Sequence, residues 1–297
     1  VPERLAELEE LEDIGDLQAV MLRANMLESR DGLEPAVEMF ESYVASLDDS
    51  DEMALGAYIN LGDFLLNRGL GQKAVEAFES ARAHQTQLLE ADRKLGDYYF
   101  NRGTALQSRA ENAASMNNQE DAAMLRQRSL DALERAAGYY EGIAQAGTLD
   151  ESAENQVIKR YSETLLKLGR VGEAKSALAG LDRAEDDLQL MVLRASIAVA
   201  EGDPRTARDI YDSAVERFPN RTLPYIQRAL FNEDNPELVS DAIRDLQQAV
   251  TLEPSRRQAW VKLYELRKAQ GELDAAFADL RRAIDANPND DTLQRML

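Results

Sequence analysis

The chain has 297 residues, no cysteine and a formal net charge of −21 at pH 7. Hydrophobic residues make up 44% of the sequence and aromatic residues 6%, a balance typical of helical proteins. So acidic a chain is poorly suited to the phosphate backbone of nucleic acids and to anionic membrane surfaces. No apolar run approaches the roughly 20 residues that a helix needs to cross a bilayer.

The residue types that carry most enzyme chemistry are scarce. Without cysteine there can be no disulfide and no thiolate metal site, and with His84 as the one histidine no His pair can hold zinc. The glycines are scattered instead of forming a phosphate-binding loop. The acidic run at residues 48–52 lacks the spacing and the glycine of an EF-hand. We therefore expect no catalytic residues, no cofactor and no metal, and we expect His84 to face solvent or the carbonyls that end its helix.

Taken in order, the chain begins with a short predicted helix at residues 3–13, whose apolar face would cover the open end of the first helix pair. That pair begins at about Leu17, and its second helix has an inner face of Ala36, Phe40 and Tyr43. A second pair has the same pattern with a glycine between its helices. Its pattern residues are Tyr58, Leu61, Gly62, Leu65, Gly69, Ala74, Phe78 and Ala81.

The third pair begins at the same spacing as the second, but the residue pattern of its second helix is missing from the expected position. Leu95, Gly96, Tyr99 and Gly103 fall at the expected positions, and a helical pattern then continues through residues 104–115 and again from about 119 to 146. Two interpretations remain open for residues 89–154. They form one pair with both helices lengthened, projecting it by about 24 Å, or they form two degenerate pairs. The absence of Gly and Pro from residues 119–137 favours the long pair.

Further pairs begin from about residue 155, and the last is the clearest. Trp260, Leu263 and Tyr264 share one face of its first helix, and Gly271 permits the turn. Ala276, Leu280 and Ala283 form the inner face of its second helix, and Pro288 ends the unit. Residues 291–297 resemble the start of another first helix, which suggests that the chain was cut from a longer protein.

This pattern of large and small residues resembles the tetratricopeptide repeat family, whose unit is a helix–turn–helix of 34 residues. The resemblance implies an all-α, right-handed α-solenoid of stacked repeats with one enlarged helical hairpin. It divides the chain into a capping helix at 1–16, two repeats at 17–88, the enlarged unit (or two degenerate repeats) at 89–154, four repeats at 155–290 and the start of a truncated repeat at 291–297. First helices would line a concave groove.

Carried onto this chain, the family's ligand-facing positions on the first helices include Asn25, Asn60, Asn67 and Lys94. Asn25, Asn60 and Lys94 fall where members that bind chaperones hold a peptide's terminal carboxylate. The two remaining clamp positions are Met21 and Glu90 in this chain, and Glu90 would repel a carboxylate. The resemblance therefore favours an asparagine pair that holds an extended peptide backbone over a complete clamp. The alternative is that these are polar groove residues that keep the surface soluble.

Two further groups are candidates on the same surface. Lys159, Arg160 and Lys167 form a basic patch that could receive an acidic segment, unless they pair with Glu154 and Glu163 along their own helix. Phe100 falls on a groove position and could anchor a ligand, or it could pack against the long helical pair.

We therefore expect a non-enzymatic scaffold or adaptor that binds a protein or peptide ligand in the groove. The alternatives are a structural spacer or self-assembling homo-oligomer, and the docking or regulatory region of a larger enzyme. We expect no nucleic-acid ligand and no membrane insertion. The first residue is Val1 and not Met, so a targeting signal could have been removed. The compartment stays open between the cytoplasm and the periplasm of a bacterium.

Overall fold

The computed structural model describes residues 17–48, 53–84, 89–181, 187–233 and 235–297. Within these ranges all regular secondary structure is α-helix, which confirms the all-α prediction. The predicted helix at 3–13 and residues 49–52 of the acidic run lie outside the described residues. The chain divides into two compact units, Val1–Leu168 and Gly169–Leu297.

The helices of each unit come one after another as packed pairs, so each unit is a stretch of α-solenoid. The described helices of the first unit are α1 (Leu17–Asp31), α2 (Leu33–Ala45), α3 (Ala54–Leu66), α4 (Gly71–His84), α5 (Glu90–Ser115), α6 (Gln119–Ala146) and α7 (Glu151–Lys167). Those of the second unit are α8 (Val171–Leu178), α9 (Leu188–Ala200), α10 (Pro204–Arg217), α11 (Thr222–Asn232), α12 (Val239–Leu252), α13 (Arg257–Ala269), α14 (Leu273–Ala286) and α15 (Asp291–Met296).

The core positions predicted for the last pair are confirmed. Trp260, Leu263 and Tyr264 of α13 are buried, and the Trp260 indole N–H donates to the Pro254 carbonyl at 2.8 Å. The predicted inner face of α14 is also buried: Ala276, Leu280 and Ala283 are at most 1% exposed. Alanine at these positions lets the two helix axes approach, and the larger residues fill the space between them.

A glycine with positive φ ends the first helix of several pairs. Gly69, which comes after α3, has φ of +77°. Its N–H donates to Leu66 O at 3.0 Å, and the N–H of Leu70 donates back to Leu65 O at 3.0 Å. These two bonds satisfy the last carbonyls of the helix in a Schellman motif, whose left-handed position strongly favours glycine.

Helices α5 and α6 are about twice as long as their neighbours. They have 26 and 28 residues, against 13 in α3 and 14 in α4. The extra turns carry the α5–α6 pair about 20 Å past the end of an ordinary pair. At the tip Asn117 has φ of +61°, and the Asn118 side chain accepts a hydrogen bond from the N–H of Asp121 at 3.3 Å. Residues 90–146 thus form a single long pair.

The missing second-helix pattern of the third unit lies at the far end of α6. Ala136, Tyr140 and Ile143 are all buried, and the Tyr140 ring lies against Gly96 of α5 as the Phe78 ring lies against Gly62 of α3. A repeat of ordinary length would have this pattern directly after Gly103, where the sequence lacks it. The boundaries proposed between repeats, at 17–88, 89–154 and 155–290, remain a prediction.

Candidate functional site

Asn25 of α1 and Asn60 of α3 line the same surface pocket. The pocket has a volume of about 580 Å³, and the residues that line it are Leu17, Gln18, Met21, Leu22, Asn25 and Asn60. Leu22 is 50% exposed and gives the pocket an accessible apolar wall. Two predicted site residues are therefore brought together beside apolar side chains. Asn67, at the end of α3, is exposed and is not among the residues that line this pocket.

The hydrogen bonds inside the protein fix how the two amides are oriented. The Arg68 Nη2 group donates to Asn25 Oδ1 at 2.7 Å, and because a guanidinium can only donate, the oxygen of Asn25 must face it. Asn60 Nδ2 donates to the Gly56 carbonyl at 2.7 Å, and because a carbonyl can only accept, the NH₂ of Asn60 must face it. Each amide therefore keeps its other polar atom for a further bond: the NH₂ group of Asn25 and Oδ1 of Asn60.

Arg68 is itself held firmly, which makes it a support for Asn25. It forms an ion pair with Glu28 at 2.6 Å and donates to the Phe64 carbonyl at 3.0 Å. Its guanidinium carbon lies 3.5 Å from the centroid of the Phe64 ring. The sequence pattern did not predict a role for Arg68, because Asn25 and Glu28, the residues that it joins, lie on another helix 40 or more residues away.

Lys94 of α5 is paired within the protein. Its Nζ lies 2.5 Å from Asp63 Oδ2 of α3, in a partly buried ion pair that links two successive first helices. Of the other two clamp positions, Glu90 pairs with Arg93 at 3.7 Å, and Met21 lines the pocket. A carboxylate ligand would have to displace Asp63 from Lys94. The ion pair therefore favours a structural role for Lys94, in which it holds α3 against α5, over a role in binding a terminal carboxylate.

Phe100 lies beneath two of the three cations predicted on α7. The ring is 5% exposed, Arg160 Cζ lies 4.5 Å from its centroid and Lys167 Nζ lies 5.9 Å from it. Arg160 also pairs with Glu163 at 3.1 Å, which is the pairing along the helix that the sequence offered as an alternative. Lys159, partly buried on the same helix, also has an interaction partner. The structure therefore brings Phe100, Arg160 and Lys167 together.

His84, the last residue of α4, is half-buried. Its ring stacks on Tyr58 with centroids 5.3 Å apart and an interplanar angle of 14°. The stacking partner lies on α3, one helix earlier, so the expectation from position in α4 alone could not include it. Among the described residues there is no cluster of three or more His, Cys, Asp or Glu that could hold a metal ion. None of the described helices is both long and apolar enough to span a membrane.

A network of tyrosine and arginine side chains joins α4, α5 and α6. The Tyr139 hydroxyl donates to Glu79 Oε1 at 2.6 Å, and its ring stacks on Tyr99 with centroids 6.0 Å apart. Burial raises the pKa of Tyr139 above its usual range, and the bond to Glu79 raises it further. Burial opposes ionisation of Glu79, but hydrogen bonds from Tyr139 and Arg82 outweigh it and lower the pKa of that carboxyl. Tyr139 is thus held as a neutral donor.

Comparison with known proteins identifies the repeat. Residues 162–222 and 238–291 match the tetratricopeptide repeat family. A tetratricopeptide repeat protein from Parabacteroides merdae superposes with a TM-score of 0.62 at 14% identity, over 95% of this chain and 97% of its own. The C-terminal part of a tetratricopeptide repeat-containing protein from Cytophaga hutchinsonii matches over 87% of this chain and 92% of its own, at 13% identity and a TM-score of 0.45. The first of these likenesses supports the fold alone, and the sequence match identifies tetratricopeptide repeats within residues 162–222 and 238–291.

Proposed function

We propose that this protein is a non-enzymatic interaction scaffold that binds an extended peptide segment of a partner protein at the pocket between α1 and α3. The fold is that of a protein–protein interaction module. The observation that carries the proposal is the complementary pair of polar atoms at the pocket, the NH₂ group of Asn25 and Oδ1 of Asn60.

An extended peptide offers the matching groups. Each residue of its backbone has one carbonyl that accepts and one N–H that donates, so Asn25 can bind the carbonyl and Asn60 the N–H. The neighbouring Leu17, Met21 and Leu22 give an apolar wall against which a ligand side chain can pack. Because Arg68 and the Gly56 carbonyl hold both amides in place before binding, little side-chain entropy is lost when a peptide arrives.

Lys94 supports this site in the proposal without contacting the ligand. The Lys94–Asp63 ion pair and the bonds from Arg68 to Asn25 and Glu28 link neighbouring first helices across their exposed side. A surface built from helices tied in this way stays close to one conformation. Peptide binding then resembles docking onto a preformed site.

The cations on α7 extend the proposal to an acidic segment of the same ligand. Lys167 has no ion pair with another described residue and lies over the Phe100 ring beside Arg160. A charge reversal at Lys159 and Lys167 should weaken capture of such a partner. If all partner binding survives that double reversal, the acidic-segment part of the proposal is wrong.

The experiment that tests the main proposal is affinity capture from a lysate of the source organism, read by mass spectrometry. Wild type is run beside the double variant Asn25→Leu, Asn60→Leu, which removes both free polar atoms at nearly constant volume. The matched control is Asn67→Leu, an exposed asparagine directly after α3 that is not among the residues lining the pocket. We expect a partner that is captured by wild type and the control and lost by the double variant. Equal capture by all three would contradict the proposal.

Self-assembly and a spacer role are separated by light scattering and by the same capture experiment. A mass that rises with protein concentration would favour the self-assembling alternative. A constant monomer that captures no partner would favour a spacer. A docking or regulatory role within a larger enzyme would place a catalytic domain on the same polypeptide, and the full-length sequence decides that alternative.

A further inference from the structure

Four exposed arginines lie along the long α5–α6 pair. Arg102 and Arg109 are on α5, and Arg128 and Arg135 are on α6. The two arginines on each helix are seven residues apart, which places them on one face of that helix, two turns from each other. We call these four residues the arginine strip.

The two helix faces belong to the same flank of the pair. Tyr99, three residues before Arg102, stacks on Tyr139 of α6, and Arg135 Nη1 donates to the Tyr99 hydroxyl at 3.0 Å. Arg135 is therefore level with Tyr99, and Arg109 is about ten residues further along α5. At the helical rise of 1.5 Å per residue, the four guanidinium groups are distributed along about 15 Å.

Arg102, Arg109 and Arg128 lie in the part of the pair that extends past α4, and Arg135, level with Tyr99, lies beside the start of that part. Tyr98 lies against Gly71, the first residue of α4, where an added Cβ would come within 3.0 Å of the tyrosine ring. Arg102 is one turn further along α5, and its Nη1 lies 3.3 Å from the Tyr98 hydroxyl. Beyond this point no part of α4 covers the flank, so the strip is open to a partner.

The charge of the strip is largely uncompensated. None of the four arginines forms an ion pair with another described residue, although the chain carries a net charge of −21. Two carboxylates lie nearby on α6. Asp131, one turn before Arg135, accepts a hydrogen bond from Gln127, and Asp121 accepts one from Asn118 at the tip. Glu79 of α4 also interacts electrostatically with Arg135, but it already pairs with Arg82 at 3.0 Å. Four cations against these three anions leave the flank positive on an acidic protein.

We propose that the arginine strip is a second interaction surface, and that it binds an acidic segment of a partner protein through that segment's carboxylates. A guanidinium binds a carboxylate with two parallel hydrogen bonds, and an extended chain rises about 3.3 Å per residue. A strip of about 15 Å therefore matches about five extended residues. The protein's overall negative charge disfavours nucleic acid and anionic membrane as occupants. The surface uses none of the residues of the Asn25–Asn60 pocket.

The test is fluorescence anisotropy with a dye-labelled octaglutamate peptide, run on the full chain. The strip variant carries Arg102→Gln, Arg109→Gln, Arg128→Gln and Arg135→Gln. A control variant carries Arg126→Gln, Arg205→Gln, Arg208→Gln and Arg281→Gln, which are also exposed and lower the net charge equally. Circular dichroism confirms that both variants are folded. Octalysine and a short DNA duplex serve as further probes.

We expect wild type and the control variant to bind octaglutamate alike and the strip variant to bind it at least about tenfold more weakly. Binding should weaken as NaCl is raised from about 0.05 to about 0.5 M, because salt shortens the range of charge interactions. Equal affinity of the strip and control variants would overturn the proposal. So would tighter binding of the DNA duplex than of octaglutamate, or strip-dependent dimers of the protein without peptide.

Discussion

At the scale of single residues, the packing of the helix pairs depends on glycines that have no room for a side chain. A Cβ added at Gly62 of α3 would lie 2.2 Å from the Phe78 ring of α4, far inside van der Waals contact. The Phe78 ring is fully buried and cannot move into solvent. The ring and the glycine together set the distance between the two helices.

We expect Gly62→Ala to lower the free energy of unfolding of the first unit by about 1–3 kcal/mol, the usual cost of overpacking a core. The matched control is Gly138→Ala in α6, where an added Cβ would meet nothing within 4 Å. That change should leave stability equal or raise it by up to about 1 kcal/mol, because alanine is the better helix former. Urea unfolding followed by circular dichroism measures both. A Gly62→Ala protein as stable as the Gly138→Ala protein would contradict this account.

A buried carboxylate has a comparable structural role in the second unit. Asp245 of α12 is 4% exposed, and the guanidinium of Arg228 in α11 donates two hydrogen bonds to it, of 2.7 and 2.8 Å. Arg228 also pairs with Asp212 of α10 at 2.9 Å. These bonds raise the pKa of the Arg228 guanidinium above its usual range, the bond to Asp245 most of all.

We expect Asp245→Asn to lower the free energy of unfolding by about 2–3 kcal/mol, because a neutral amide binds the partly buried Arg228 more weakly than a carboxylate does. Asp241→Asn is the control on the same helix, since its ion pair with Arg244 is exposed and should be worth less than about 1 kcal/mol. Trp260 belongs to the same hydrophobic core as Leu246, so its fluorescence reports the unfolding of this region. If the two substitutions lower the free energy of unfolding equally, the burial of the Asp245–Arg228 ion pair does not add to stability.

At the scale of the helix, the same three-residue sequence occurs at two places in the chain with two different backbone conformations. Asn67, Arg68 and Gly69 form the turn after α3, with Gly69 at φ of +77°. The same triplet recurs as Asn101-Arg102-Gly103, but there it lies inside α5. At Gly103 an added Cβ would lie 2.7 Å from Leu133, and the Gly103 carbonyl accepts from Ser129 Oγ at 2.7 Å. Packing against α6 keeps this segment helical.

Local spacing in the sequence predicts some parts of the fold, and contacts between distant residues decide the others. The buried faces of α13 and α14 follow from local spacing, and those predictions are confirmed. Whether Gly103 turns or continues depends on Leu133 and Ser129, about 30 residues away, which local spacing does not contain. The same limit applies to the candidate site. Spacing within the resemblance selected Asn25 and Asn60, but it could not reveal the Arg68 and Gly56 bonds that orient their amides.

If the triplet retains its ability to turn, the long pair can be shortened to ordinary length. Deleting residues 105–132 joins Thr104 to Leu133 and places Ala136 five residues after Gly103, as Ala74 follows Gly69. We expect the deletion variant to fold, with circular dichroism that retains the helical signal of the remaining residues and a cooperative thermal transition. An unfolded or aggregated product would show that the extension is required for folding of the unit.

The start of α10 shows how a helix end depends on pH. The Asp203 side chain accepts hydrogen bonds from the Thr206 hydroxyl at 2.6 Å and from its N–H at 3.1 Å, and these bonds lower the pKa of the Asp203 carboxyl. A carboxyl whose pKa is lower in the folded state stabilises it fully above the unfolded value of about 4, and less as pH falls through the folded value.

We therefore expect Asp203→Ala to lower the melting temperature at pH 7 and to have less effect as pH falls below about 4. Thermal unfolding at pH 7, 4 and about 2.5 measures the difference from wild type. The neighbouring Arg205→Ala serves as a control that leaves the cap intact. A wild-type advantage that is unchanged at the lowest pH would mean that the ionised Asp203 cap does not stabilise the helix.

At the scale of the whole molecule, the two proposed sites on this acidic chain differ in their chemistry. The formal net charge is −21, and a net charge this far from zero favours solubility. The proposed pocket at Asn25 and Asn60 would hold a peptide backbone, whereas the arginine strip would hold carboxylates. A partner that uses both surfaces would combine an extended segment with an acidic one, and the two contacts would reinforce each other.

N-methyl scanning tests whether the pocket holds a peptide through its backbone. A peptide selected from a random library against wild type is resynthesised with one backbone N–H methylated at a time. We predict that methylation at one position weakens binding to wild type about tenfold, and has no effect on binding to the Asn60→Leu protein, which has already lost the acceptor. If methylation weakens binding to both proteins equally, Asn60 does not hold the peptide backbone and the account is contradicted.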